Sequence, residues 1–299
     1  MIGVTPRLGV ALGTIGLSAS EWLDCAGELA QLPIERVWIW DHLMGRGAAE
    51  RPVLEALSLA AAALARYESL AVGTLVLDVT KRHPALAAKS IATIASLAEG
   101  RFAVGLGAGG DAAEHQALGM EFGAAEERLT LMEETIGIFR AMLEGDPTQR
   151  VTRPSQGAAP SLLEAASAPR PAHQVPLYVA GDHERSIDLA ARAGDGWIAP
   201  ASSFAEGITR FRSASERAGR TGLVAFALQE LGKGESLKET PYGRDPQGWL
   251  VRQWEAGADS VVITVRDRSD IAQLSAIIHS LANPYPALFI NIHGGRICK

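Results

Sequence analysis

The chain has 299 residues, 47% hydrophobic and 21% charged, with 31 glycines, 15 prolines and a formal net charge of -6. So much apolar content with so little net charge describes a globular chain, long enough for two ordinary domains or one large α/β unit. The acidic balance argues against a nucleic-acid partner, but it is compatible with an anion held in a local nest of backbone N–H groups.

In chain order, Leu8 to Leu12 reads as a short buried strand, and Ser20 opens a helix to about Gln31. A strand at Arg36–Trp40 ends in Asp41-His42; a loop with Gly45 and Gly47 follows, and Pro52 starts an alanine-rich helix to about Tyr67. Leu70–Leu77 is the third strand, and Pro84 sits in the first turn of a helix reaching Leu97. Phe102–Leu106 is the fourth strand, running into Gly107-Ala108-Gly109-Gly110. Ala125–Leu143 is a helix with Leu129, Met132, Ile136 and Phe139 on one face. Residues 144–175 carry no sustained period; they read as a linker, a lid or a partly ordered insertion with a short helix over Ser161–Ala166. Beyond them come strands at Pro176–Ala180, Asp195–Ile198, Leu223–Leu228 and Ser260–Thr264. These alternate with helices at His183–Ala193, Phe204–Ala218, Pro246–Glu255 and Ile271–Leu281.

Eight short, near-continuously apolar strands, nearly all followed by a helix, are the pattern of strands covered on both faces. The count predicts one (β/α)8 TIM barrel over residues 1–299, with the 144–175 insertion before strand five. A dinucleotide-binding sheet would place G-x-G-x-x-G after strand one, where Gly13-Thr14-Ile15-Gly16 matches poorly. Cys25 and Cys298 give neither a disulfide framework nor metal-finger spacing. No stretch of 18 residues lacks charge or turn signals, and the N-terminus has no leader pattern, so the expectation is a cytoplasmic protein without a membrane partner.

Working residues of such a barrel lie at the C-terminal ends of its strands. At strand two, Asp41 either contacts a ligand or caps a turn, and His42 either transfers protons near neutral pH or is packed. At strand four, Gly105-x-Gly107-x-Gly109-Gly110 admits a phosphate or planar ring close to backbone donors, or simply a tight turn. It lacks the Lys-Ser/Thr of a triphosphate loop. Ala180-Gly181-Asp182, just before a helix, is a second candidate anion nest. Trp38, Trp40 and Trp197 either line an aromatic pocket or fill the core. His115, His173, His279 and His293 show no metal-ligand spacing, so no metal is expected.

Taken together, Val37–Leu43, Gly73-Thr74 through Arg82-His83-Pro84, Ala95–Arg101, Val104–Gly109 with Leu118-Gly119, Glu127-Arg128 with Glu134, and Pro176–Gly181 through Ala193–Trp197 resemble the luciferase-like monooxygenase superfamily. The features at Arg82-His83-Pro84 and Gly105–Gly109 resemble its coenzyme F420-dependent branch. That resemblance implies hydride transfer between the deazaflavin coenzyme F420 and a small organic substrate, with His42 and Asp41 as catalytic residues. It places the coenzyme against Asp41, Thr74, Leu75, Val76, Gly107, Ala108, Gly109, Ala180, Gly181 and Asp182, with a non-proline cis peptide at Leu75-Val76. Two alternatives stand beside it: an FMN-dependent monooxygenase using oxygen, and a catalytically weak cofactor-binding homologue. One departure is Gly110, where the branch's sugar-phosphate dehydrogenases carry a proton-transferring glutamate; Asp111 and Glu114 are the nearby acids. Their usual tryptophan is also absent from Leu43-Met44-Gly45-Arg46. The resemblance further implies a homodimer.

Overall fold

A computed structural model describes residues 6–45, 50–155, 157–232 and 234–282. Gly47, His293 and Cys298 lie outside them. In chain order the elements are β1 (Arg7–Leu12), α1 (Ala19–Leu29), β2 (Val37–Ile39), α2 (Ala56–Arg66), β3 (Val72–Asp78), α3 (Pro84–Ala98), β4 (Phe102–Gly107), α4 (Ala112–Ala117) and α5 (Ala125–Glu144). There follow β5 (Arg150–Arg153), β6 (Leu162–Ala166), β7 (Leu177–Ala180), α6 (Glu184–Ala193), β8 (Gly196–Pro200), α7 (Ala201–Arg217) and β9 (Val224–Gln229). A 3-10 turn at Leu237–Glu239 leads to α8 (Pro241–Arg244), α9 (Pro246–Glu255), β10 (Ser260–Val265) and α10 (Arg268–Ala282).

Eight strands close a parallel barrel in the order β1-β2-β3-β4-β7-β8-β9-β10, with β10 returning to β1 in register from Arg7 opposite Ser260 to Leu12 opposite Val265. This is the expected (β/α)8 architecture. Local chemistry sets the helix starts. Ser18 and Glu21 form a reciprocal capping box on α1, and His83 Nδ1 accepts the Ala85 N–H ahead of Pro84 in α3.

Two expectations need correction. The second helix begins at Ala56, capped by Glu55, rather than at Pro52. Residues 52–54 instead serve the loop after β1: the Gly16 N–H donates to the Pro52 carbonyl (2.8 Å), the Leu54 N–H donates to the Thr14 carbonyl (3.0 Å), and Val53 bridges Ile15. Backbone groups engaged in this way cannot join a helical ladder. The short helix expected within 161–166 is the strand β6, antiparallel to β5 with Arg150 opposite Ala166. Leu162 is buried while Leu163 and Glu164 are exposed, and the pairing shifts register between Val151 and Arg153. The hairpin packs along α5, where Glu134 accepts the Ala159 N–H, and none of the described residues of 144–175 lines either cavity at the barrel mouth.

Inside the barrel, Trp38 packs edge-on against Tyr178 and Phe226, with ring centroids 6.0 and 5.5 Å away. This plug of Ala11, Trp38, Ala103, Tyr178, Phe226 and Val262 forms the floor beneath the mouth. Trp197 belongs to the layer outside, stacked on Phe204. A Cβ at Gly73 would sit 2.6 Å from the Trp38 ring. Gly73→Ala is therefore expected to destabilise the fold by about 1–3 kcal/mol, as overpacking of a filled core does, read as a lower urea midpoint at unchanged slope.

Candidate active site

Two cavities open at the C-terminal ends of the strands, with volumes of about 430 and about 1070 Å³. Of the residues expected around the coenzyme, Asp41, Leu75, Val76, Gly107, Ala108, Gly109, Ala180, Gly181 and Asp182 all line the smaller one, together with His42. Thr74 does not. It is fully buried, and its hydroxyl donates to the Gly105 carbonyl (2.9 Å), tying β3 to β4 from within. The Leu75-Val76 peptide is cis. The larger cavity is walled by Ile15, Leu17, Trp40 and Leu231, with Arg51 and Arg266 among its polar residues. His42, Leu75, Leu228 and Glu230 are common to both, so the cavities are two lobes meeting along these four residues.

The side chain of Asp41 is almost fully enclosed. It accepts two bonds from the Arg82 guanidinium, each 2.6 Å, and one from the Asp78 N–H at 2.9 Å. Arg82 also pairs with Glu55 at 2.6 Å. Burial pushes the Asp41 carboxyl up against these partners. Burial also acts to lower the Arg82 guanidinium, but the Asp41 and Glu55 carboxylates outweigh it and hold Arg82 above its ordinary value. Asp41 is thus an anchor that fixes the β2 exit to the β3 exit, and its carboxylate is already engaged by protein donors.

The same exit is held from its other side. Lys81 Nζ donates to the Asp41 carbonyl (2.5 Å) and pairs with Glu114 (2.5 Å), and both side chains are buried. Glu114 accepts the N–H groups of Leu43 and Met44, the latter at 2.7 Å, while its other oxygen lies 3.9 Å from His42 Nδ1. His42 remains partly open to the cavities, its ring edge-on to Trp40 with centroids 6.2 Å apart. The chain therefore clamps the backbone on both sides of His42 and leaves the imidazole at the junction of the lobes.

The glycines of the β4 loop divide in role. A Cβ at Gly107 would overlap Val76 Cγ2, so this glycine admits the neighbouring strand. One at Gly110 would meet nothing within 4 Å, so open space lies over the loop there. Asp111 caps α4, its carboxylate accepting the Glu114 N–H at 3.1 Å. Both acids beside Gly110 are thus engaged by protein groups, Glu114 by Lys81 and Asp111 by the start of α4. Across the mouth, Gly181 has φ +139, and its carbonyl accepts the Trp197 indole N–H at 2.7 Å. The exposed Asp182 accepts the Ser203 hydroxyl at 3.3 Å.

Lys81, Glu230 and the anchoring role of Arg82 were not drawn from the sequence; the cationic pair Lys81-Arg82 shortly after β3 was a local signal for the first and last, and Glu230 had none. A lobe of this size, with Leu75, Val76 and Ile198 on its walls and glycine backbone along its edge, suits a flat aromatic ring system.

Residues 1–229 match the family model described as luciferase-like monooxygenase. The chain belongs to this family. The F420-dependent glucose-6-phosphate dehydrogenase of Beutenbergia cavernae is 36% identical over 160 residues, 53% of this chain and 44% of that protein. The enzyme of the same description from Kineococcus radiotolerans is 30% identical, over 64% of this chain and 56% of its own. The chain thus spans about half the length of these curated relatives. An F420-dependent secondary alcohol dehydrogenase, solved with an F420-acetone adduct, superposes with a TM-score of 0.77 at 18% identity, covering 95% of this chain and 99% of that one, a likeness of fold.

In this luciferase-like barrel, burial acts to raise the Glu114 carboxyl, but Lys81 and the Leu43 and Met44 N–H groups outweigh it and hold it below the ordinary value. A carboxylate lowered by folding contributes stability that is complete above its unfolded pKa, about 4.3, and is lost as pH falls through the folded value below that. The stability gap between the wild-type chain and Glu114→Gln should therefore be widest near pH 7 and shrink below about pH 4, measured by urea unfolding across that range.

Proposed function

We propose that the chain is an oxidoreductase that transfers a hydride between coenzyme F420 and a small organic substrate, with the coenzyme ring in the smaller lobe and the substrate in the larger. The observation that carries this reading is the convergence of Leu75, Val76, Gly107–Gly109 and Ala180–Asp182 on one lobe that meets a second, roomier one at His42. The names of the curated relatives support it. When bound, the deazaflavin supplies a carbon that accepts or returns a hydride. The protein's own share is positioning. Leu75 and Val76 form one wall, the loop from Gly107 to Gly110 forms the edge, and the Trp38 plug closes the floor to water. His42 moves the substrate's hydroxyl proton at a ring nitrogen, held in place by the clamps on Asp41, Leu43 and Met44. Gly110, without the carboxylate of the sugar-phosphate dehydrogenases, favours a simple alcohol or carbonyl compound over a sugar phosphate.

Titration of the purified chain with coenzyme F420 and with FMN, followed by absorption, tests the coenzyme. Tighter binding of F420 is expected, whereas binding of FMN alone would overturn the choice in favour of a flavin monooxygenase. With a panel of secondary alcohols, His42→Ala is expected to lower kcat by about 10²–10⁴-fold while leaving the thermal midpoint close to wild type. Unchanged kcat would remove His42 from the chemistry.

We propose in addition that the whole chain forms one domain and works as a homodimer in the cytoplasm. Light scattering is expected to give twice the 31.6 kDa of the chain, and a mass equal to one copy would contradict it.

A further inference from the structure

Directly beneath the glycine loop of the smaller lobe lies a chain of three side chains that the reading above does not use. Thr80 Oγ1 is 2.6 Å from Asp78 Oδ1 and 2.6 Å from His115 Nε2, and His115 Nδ1 is 2.8 Å from the Asp111 carbonyl oxygen. His115 is fully buried, and Asp78, itself buried, is among the residues that line the lobe. A Cβ on Gly109 would fall 2.9 Å from Asp78 Oδ1 and 3.1 Å from Thr80 Oγ1, so the loop rests on this chain.

The proton inventory is restrictive. A carbonyl oxygen only accepts, so Nδ1 carries a hydrogen. The two remaining contacts, from Nε2 to Oγ1 and from Oγ1 to Oδ1, need two hydrogens, and the threonine hydroxyl supplies one. The second belongs to the histidine–aspartate pair: it sits on Nε2 as an imidazolium facing a carboxylate, or on Oδ1 as a carboxylic acid facing a neutral ring. The charges nearby favour the first arrangement. Lys81 Nζ, itself paired with Glu114, lies 3.8 Å from Asp78 Oδ2, and the Thr80 N–H donates to Asp78 Oδ1 at 2.9 Å. The Phe122 ring packs against His115 with centroids 4.7 Å apart, and the Arg128 guanidinium lies over Phe122 at 3.9 Å.

We propose that Asp78, Thr80 and His115 form a proton relay that opens on the coenzyme lobe through the Asp78 carboxylate. Two short hops, Nε2 to Oγ1 and Oγ1 to Oδ1, convert one arrangement into the other and bring the stored proton to the wall of the lobe. Oxidation of a secondary alcohol to a ketone releases a hydride and a proton. With the deazaflavin as hydride acceptor and His42 as acceptor of the hydroxyl proton, one further proton would be needed on the coenzyme side, and the relay would hold it at Asp78. Turnover closes when His42 gives its proton to water and the relay takes one back. This destination rests on the deazaflavin reading; the stored proton does not.

The test uses the full chain without coenzyme, labelled with ¹⁵N, its His115 signals assigned by their loss in His115→Gln. At pH 7.5 both ring nitrogens of His115 should be protonated in the wild type and in Thr80→Ser, but only Nδ1 in Thr80→Val. A single protonated nitrogen in the wild type, or a pattern indifferent to Thr80→Val, would overturn the relay. With coenzyme F420 and an alcohol from the panel, Thr80→Val should lower kcat at least tenfold with KM within twofold, and Thr80→Ser should restore it. Equal kcat in Thr80→Val would overturn delivery into the lobe. Failure of the wild-type chain to bind coenzyme F420 would instead overturn the deazaflavin reading and leave the ring signals as they were, so the two failures are distinguishable.

Discussion

The Asp41 carboxylate, enclosed at the end of β2 and gripped by the two-pronged Arg82 guanidinium, is the contact on which the barrel mouth depends. A buried ion pair of this kind contributes little net stability when intact, because desolvation offsets attraction, yet loss of one partner leaves a stranded charge at a cost of about 3–5 kcal/mol. Its value here is geometric. Arg82 follows β3, so the pair joins two strand ends 41 positions apart in the chain. Lys81, next to it, adds a bond to the Asp41 carbonyl and reaches Glu114 on α4. Three successive exits from the barrel thereby become one rigid collar, and His42 is the member of that collar left facing the cavities.

This collar holds a histidine on a connecting segment in a fixed place, as the role proposed for His42 requires. Loops carry function when a rigid scaffold positions them. Here the positioning is electrostatic: cations from the β3 exit bind the backbone and side chain before His42, and a carboxylate from α4 binds the N–H groups after it. The apolar plug around Trp38 supplies the complementary constraint, closing the barrel interior so that the open space gathers above it in two lobes.

Much of the fold was legible because strands covered on both faces must be apolar throughout and short, and eight such runs separated by helical periods leave few architectures open. What was misread depended on backbone partners far away. Pro52 looked like a helix start, but residues 52–54 bond to the β1 exit. Leu162–Ala166 looked helical because Leu-Leu-Glu-Ala-Ala carries no strand signature of its own, and its pairing with Arg150–Arg153 decides the matter. At six residues, α4 is too short for periodicity to reveal. In the site, strand-end logic located the lining residues, but it could not say that Asp41 faces Arg82 or that Thr80 joins His115 to Asp78. Arg82 lies 41 positions from Asp41 and His115 lies 35 from Thr80, and only the pairing of β2, β3 and β4 side by side brings them together. Thr74 shows the converse: a polar residue inside a mouth-bound strand was used to tie two strands together instead of to meet a ligand.

The central claim is that the two lobes divide the labour, with coenzyme in the smaller and substrate in the larger, and His42 between them. A crystal structure of the chain soaked with coenzyme F420 tests this most directly. The account predicts the deazaflavin ring against Leu75 and Val76, edged by Gly107 to Gly110, with one face turned toward His42 and the larger lobe. A ring lying among Ile15, Leu17 and Arg51, or outside the barrel mouth, would contradict it.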